Sequence, residues 1–216
     1  MSPRIVIEAS TLALPDKMAF HDILAAAGHV PLDCPISGTG SQAIAKDLVI
    51  YASGDSAAIA RVRPCYAAFT RAVHDVGAFG NGSKMKFVAN LLVAIHNVAS
   101  AEAMVLGMKA GLDPKQVADL VAAGAGTSRV FELRAPMMVK NDYSSDVTMK
   151  CSIWQKDMDV IGGYAKKLKV PTPLFSATQP VYHAAIKAGL GDEDTGAVCA
   201  VLEAKAAVKR KAKRRR

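Results

Sequence analysis

Residues 80–111 read GNGSKMKFVANLLVAIHNVASAEAMVLGMKAG, and this stretch decides the fold. Two glycines flank Asn81 at its start and Gly111 closes it. No proline interrupts the span between, and Ser83 stands where a helix-capping hydroxyl belongs. The spacing predicts a helix of roughly 28 residues, longer than the usual globular helix. Apolar residues occur all round it, which predicts burial on most sides. Asn90, His96, Asn97, Ser100 and Glu102 lie within it. They would be costly in lipid, so the reading is a helix buried in protein and no membrane span.

Working outward, the two flanks differ in texture. Upstream, short apolar runs alternate with helical stretches: strands over 4–8 (RIVIE), 30–35, 47–52 and 73–79, with helices over 14–27 and 56–72. Such alternation is the signature of α/β layers. Downstream no strand is convincing. Asp113-Pro114-Lys115-Gln116 opens a helix in the manner of a capping box, with proline at its first position. Further helices are predicted over 127–139, 150–168, 174–188 and 195–208. The domain boundary is therefore read near Gly80–Gly82: an α/β domain over 1–80, an all-helical domain over 81–208 and a basic disordered tail over 209–216.

Composition agrees. Apolar residues make up 51% of the chain and aromatics 6%, so alanine, valine, leucine and methionine fill the core, as in helix-rich proteins. The net charge of +8 comes from the last twelve residues, which hold eight lysines and arginines and no acid. Removing those eight from the total of 27 leaves 19 basic against 19 acidic residues. A neutral body lacks the basic face that extended phosphate contact needs, which argues against nucleic acid as a partner. The four cysteines show no CxxC spacing and the histidines no ligand spacing, so no metal is expected. The N-terminus has no signal-peptide pattern, and a cytoplasmic location with reduced thiols is the default.

Two segments carry chemistry. Gly38–Ala43 (GTGSQA) matches GxGxxA, but its preceding strand contains Pro35 and the motif does not open a βαβ unit. A turn at Ser37, Gly38 and Thr39 that offers backbone N–H groups to a carboxylate fits better. Lys86 and Asn90, four apart, share a helix face, and Asn97 continues it. A lysine at the start of a buried helix is partly desolvated, which lowers an ammonium pKa and suits proton transfer. Against this stands the reading of Lys86 as a lysine snorkelling from a helix end. Lys84 lies on a different face from Asn90. Lys156-Asp157 falls within another apolar helix and by itself reads as a solvated pair.

Four stretches, in order, resemble the β-hydroxyacid dehydrogenase family, which includes 3-hydroxyisobutyrate dehydrogenase and tartronate semialdehyde reductase. They are 5–12 (IVIEASTL), 33–43 (DCPISGTGSQA), 80–90 (GNGSKMKFVAN) and Lys156-Asp157-Met158 followed by VPTP at 170–173. The resemblance covers about residues 4–205. It implies a Rossmann-like remnant followed by an all-α domain like the C-terminal domain of 6-phosphogluconate dehydrogenase. It implies that Lys86 is the catalytic lysine, with Asn90 beside it, that Ser37, Gly38 and Thr39 bind the substrate carboxylate, and that Thr11 and Lys156 contact the cofactor. The reaction implied is reversible hydride transfer, with NAD or NADP, between a small 3-hydroxy acid and its oxo acid or semialdehyde. Ala89 and Thr39 depart from the family's asparagine and glycine. Family members begin with a βαβ unit bearing GxGxxG, and the chain reads as starting after it, so weak or absent dinucleotide binding is expected. The helical domain implies a homo-oligomer. A non-catalytic dimerisation or scaffold module of the same descent remains the alternative.

Overall fold

The computed structural model describes residues 2–210. They form two compact units, residues 2–91 with 159–171, and 92–158 with 172–210. The division between these packing units runs through the long helix at Leu91 and through a second helix at 158–159.

The first unit opens with β1 (Ile5–Glu8), α1 (Leu14–Ala26) and β2 (Val30–Asp33), a βαβ step in which β1 and β2 pair in parallel. Pro15 starts α1, where its missing N–H costs nothing. Then come β3 (Ile36–Ser37), α2 (Gly40–Ile44), β4 (Leu48–Gly54), α3 (Ser56–Tyr66) and β5 (Thr70–Asp75). Leu32 faces Gly54 and Asp33 faces Ser53, while Ile36 faces Ile50 and Ser37 faces Val49. These pairs share one unbroken antiparallel register, so β2 and β3 are one line of chain interrupted at Cys34-Pro35. β5 pairs in parallel with the other side of β4. The sheet is thus mixed. Leu32, Cys34, Ile50, Ala52, Ile59 and Tyr66 form its core.

Two local expectations shift. The helix expected over 56–72 ends at Tyr66, because Pro64 sits in its last turn and both the Phe69 N–H and the Thr70 hydroxyl close on the Tyr66 carbonyl. The following strand therefore begins at Thr70 and not at Val73. The short β3 and α2 were not anticipated at all.

The second unit is helical. It takes the rest of α4 (Asn81–Lys109), then α5 (Pro114–Ala122), α6 (Arg129–Lys140), the first half of α7 (Cys151–Lys167), α8 (Pro173–Lys187), a 3-10 turn (Thr195–Ala197) and α9 (Val198–Lys205). Asp113 and Ser128 cap α5 and α6 through Gln116 N–H and Phe131 N–H. By length and composition α4 could cross a bilayer. Its Asn97, however, is buried and donates to the Tyr182 hydroxyl and the Thr195 carbonyl, which is a protein interior. Asp194, fully buried, pairs with Arg134 at 2.9 Å and accepts from the Thr148, Met149 and Gly196 amides.

The disordered tail expected over 209–216 does not hold for Arg210. Arg210 pairs with Glu203 and donates to the Met138 and Val139 carbonyls at the end of α6. Residues 211–216, the rest of that expectation, lie outside the described residues.

Candidate active site

The first turn of α4 is fastened to the sheet by atoms distant in sequence. Its leading N–H groups, which a helix leaves without intrahelical partners, are all taken. Asn81 N–H goes to Ala78 O and Lys84 N–H to Gly80 O. Gly82 N–H donates to Ser53 Oγ (2.9 Å) on β4, and Ser83 N–H donates to Asp33 Oδ2 (2.7 Å) at the end of β2. The Ser83 hydroxyl donates to Asp33 Oδ1 (2.9 Å). The Ser53 hydroxyl, with one proton to give, donates to the Asp33 carbonyl at 3.0 Å.

Gly82 makes this approach possible. A Cβ there would lie 2.4 Å from Tyr51 O, 2.6 Å from Asp33 O and 3.0 Å from Pro35 Cδ. Two of those neighbours are backbone, so no side chain is tolerated. The D-x-P segment and the lysine segment therefore touch, at Asp33–Ser83 and Pro35–Gly82.

One turn further on, Lys86 and Asn90 are both buried (9% and 4% exposed). At 100° per residue Lys86 lies about 60° and Asn90 about 20° from Ser83, so the three share a face. Lys84 points elsewhere, is exposed and donates to Asn81 Oδ1 at 3.0 Å.

Sequence reasoning missed the other half of this cluster. Lys17 on α1 is completely buried; it forms an ion pair with Glu8 and another, at 3.0 Å, with Asp33 Oδ1. The available signal was that Lys17 sits three residues after Leu14, on the face α1 turns to the sheet.

The Ser37–Thr39 turn follows β3 directly. Gly38 has φ +125°, and a Cβ on it would meet Leu48 Cδ2 at 2.4 Å. The Thr39 N–H donates to Gln42 Oε1 (3.1 Å), and the Gln42 amide is held in turn by Asp47 (3.3 Å). α2 behind it is only five residues long. A pyrophosphate needs several free N–H groups at the start of a helix; here one is committed to a capping side chain and the glycine is packed. The GxGxxA match at 38–43 is thus a capped turn and not a dinucleotide loop.

Fit to a nicotinamide dinucleotide divides accordingly. Thr11 is half-buried just past the carboxyl end of β1, the end at which open α/β sheets take dinucleotides. Lys156, in the second unit, holds an exposed ammonium 3.1 Å from Asp157 Oδ1, and Asp157 is buried. The turn at 38–43 does not suit the pyrophosphate. A recess of about 380 Å³ beside the start of α1 is lined by Leu14, Pro15, Phe87, Val160, Gly163 and Tyr164. It is apolar, and no buried polar group converges on it.

Two family models together cover most of the chain. Residues 2–77 match the model for the NAD binding domain of 6-phosphogluconate dehydrogenase. Residues 80–202 match that for the NAD-binding domain of NADP-dependent 3-hydroxyisobutyrate dehydrogenase. L-threonate dehydrogenase of Cupriavidus necator is 34% identical over 92% of this chain and 67% of its own length. The chloroplastic glyoxylate/succinic semialdehyde reductase 2 of Arabidopsis thaliana is 30% identical, over 92% and 55%. The crystal structure of a 3-hydroxyisobutyrate dehydrogenase from Salmonella typhimurium superposes with a TM-score of 0.84 at 33% identity, covering 91% of this chain and 69% of that one. The chain thus spans about two thirds or less of the length of these relatives.

Proposed function

The chain belongs to the β-hydroxyacid dehydrogenase family, and on that premise we propose that it serves NAD- or NADP-dependent hydride transfer between a small 3-hydroxy acid and its oxo acid or semialdehyde. The observation that carries the reading is the burial of Lys86 and Asn90 on one face of α4, one turn beyond the point where the helix is pinned to the sheet. A lysine that merely snorkelled would be exposed, as Lys84 is.

In this reading the dinucleotide, when bound, accepts or returns the hydride. Lys86 takes the hydroxyl proton in oxidation and gives it back in reduction. Asn90, one turn along, orients the ammonium or the substrate oxygen. Ser37, Gly38 and Thr39 hold the carboxylate, through groups other than the Thr39 N–H, which Gln42 takes. Thr11 and Lys156 hold the nicotinamide end of the cofactor. The relatives are named for acids and aldehydes of a few carbons, which supports a small substrate. We infer a cytoplasmic setting in which the cysteines stay as free thiols.

The test is Lys86→Ala against Lys84→Ala, followed by the absorbance of the reduced nicotinamide. Lys86→Ala lowers kcat at least about 10²-fold, the usual contribution of a positioned acid–base group, with cofactor affinity little changed. Lys84→Ala is nearly silent. The reverse order would overturn the assignment.

Two further readings attach to the chain as it stands. Dinucleotide affinity is weak, because the 38–43 turn is closed to phosphate; a low-micromolar Kd in a calorimetric titration would contradict this. The helical unit self-associates, since Leu106, Leu112 and Leu120 are 54–72% exposed. A clean monomer in sedimentation at micromolar concentration would sink that. The alternative of a non-catalytic scaffold predicts self-association without any effect of Lys86→Ala.

A further inference from the structure

We propose that Asp33 is a positioning residue for Lys86: it holds the first turn of α4 through Ser83 and, by way of Ser53, through Gly82, and so sets where the lysine's ammonium lies. The proposal rests on the reading of Lys86 as the proton carrier.

Helices are ordinarily capped by a neighbour in sequence, a Ser, Thr, Asp or Asn just ahead of the first turn. Here the acceptors come from 50 and 29 residues away. A local cap fixes where a helix starts. A remote one fixes where it sits. Asp33 is completely buried, so water offers its carboxylate no competing donors. Its two oxygens take both the N–H and the O–H of Ser83, and its main-chain carbonyl takes the Ser53 hydroxyl that receives the Gly82 N–H. Depth and rotation of the turn are both defined, the first by the Gly82 contact and the second by the two-pronged grip on Ser83.

Asp33 is itself held. The Lys17 ammonium stands 3.0 Å from the same Oδ1 that accepts the Ser83 hydroxyl, and Glu8 pairs with that ammonium from the far side. The carboxylate also lies at a helix N-terminus, where the helix dipole favours an anion. From Ser83 to Lys86 is three residues, about 4.5 Å along the axis on nearly the same face. A shift of the first turn therefore passes to Lys86 almost undiminished. A misplacement of about 1 Å in a reacting group costs about 10²-fold in rate.

Lys84, two residues before Lys86, provides an internal reference: exposed, on another face and tied to Asn81 instead. The experiment labels the folded protein with a limiting dose of acetic anhydride across a pH series and reads Lys86 and Lys84 by mass spectrometry. Ser83→Ala keeps the N–H bond and removes the hydroxyl; Ser83→Thr restores it; Asp33→Asn removes the charge. Ser83→Ala and Asp33→Asn raise the Lys86-to-Lys84 labelling ratio about five-fold or more and displace the pH midpoint of Lys86 labelling, as expected when a held group is freed. Ser83→Thr returns the ratio to near its starting value. In the hydride-transfer assay the two damaging variants lower kcat with the dinucleotide KM unchanged.

An unaltered ratio and midpoint in folded Ser83→Ala overturn the proposal. Should Asp33→Asn fail to fold, the Ser83 pair decides alone. Should Lys86→Ala leave hydride transfer intact, the functional reading falls, while the labelling ratio still decides whether Asp33 positions the helix.

Discussion

Replacing Lys17 by methionine removes a cation from a place that water does not reach. Both the Lys17 and the Asp33 side chains are completely buried, and Glu8 is 15% exposed. Breaking a buried ion pair by deleting one partner costs about 3–5 kcal/mol, most of it the charge left behind. Three features set where in that range Lys17→Met falls. Glu8 can turn toward solvent and recover hydration. Asp33 cannot, but it keeps the Ser83 N–H and O–H, two charge-assisted hydrogen bonds. Methionine fills most of the vacated volume with apolar atoms. The expected loss is thus about 3 kcal/mol, a large share of the roughly 5–15 kcal/mol typical of a domain. Adding Asp33→Asn to Lys17→Met removes the stranded charge, so the double variant loses less than the sum of the two single ones, by more than about 1 kcal/mol. The assay must look at the right unit. The one tryptophan, Trp154, lies in the second unit and is blind to this event. Amide hydrogen exchange on β2 and β4 as a function of urea reads the first unit directly. A loss under about 1 kcal/mol, or simple additivity in the double variant, would refute the picture of a buried, mutually dependent triad.

Gly82→Ala destabilises the first unit by at least about 3 kcal/mol, since the new methyl meets two backbone oxygens that cannot swing aside; urea titration with exchange readout checks it. Deleting 211–216 leaves stability unchanged, whereas deleting 209–216 costs about 1–2 kcal/mol by freeing Glu203 and two α6 carbonyls from Arg210, a mostly buried pair. Thermal melts of the two truncations separate the cases. Thiol titration under native conditions modifies Cys65 quickly and leaves Cys34, Cys151 and Cys199 until unfolding. Burial pushes the Cys151 and Cys199 thiols up to about 12 from an ordinary 9.0. Because these folded values are raised, their contribution to stability is intact below pH 9 and is lost as pH climbs toward 12. A melting temperature flat across that window would contradict it.

Much of this was written plainly in the sequence, because period and punctuation are local properties. The proline-free, largely apolar stretch from Ser83 to Gly111 announced α4, and Asp113-Pro114 announced α5. The two-residue β3 and the five-residue α2 were invisible, since elements that short have no periodicity to detect. They exist because β4 offers a partner edge. α3 was overextended because Pro64 and the Tyr66 carbonyl, not helix propensity, decide where it stops. At the site, Lys86 and Asn90 were legible from four-residue spacing. Lys17 was not, because a lysine in an amphipathic segment reads as solvent-facing until its two carboxylate partners, on different strands, are brought to it. Asp33 was seen as one letter of a motif; its work on Ser83, fifty residues away, is a property of the folded chain alone.

Gly82 also bears on heredity. Every missense change at a glycine codon introduces a Cβ, so position 82 has no neutral neighbour in the genetic code; a lineage can vary it silently at the third base or not at all. Gly163, where a Cβ would meet nothing within 4 Å, is free of that restriction. Sequencing this gene across a natural population compares the two directly. While the fold is under selection, replacements accumulate at 163 and synonymous changes alone at 82. In a copy released from selection the two positions drift alike, and the first alleles to show it are those in which α4 can no longer reach the sheet.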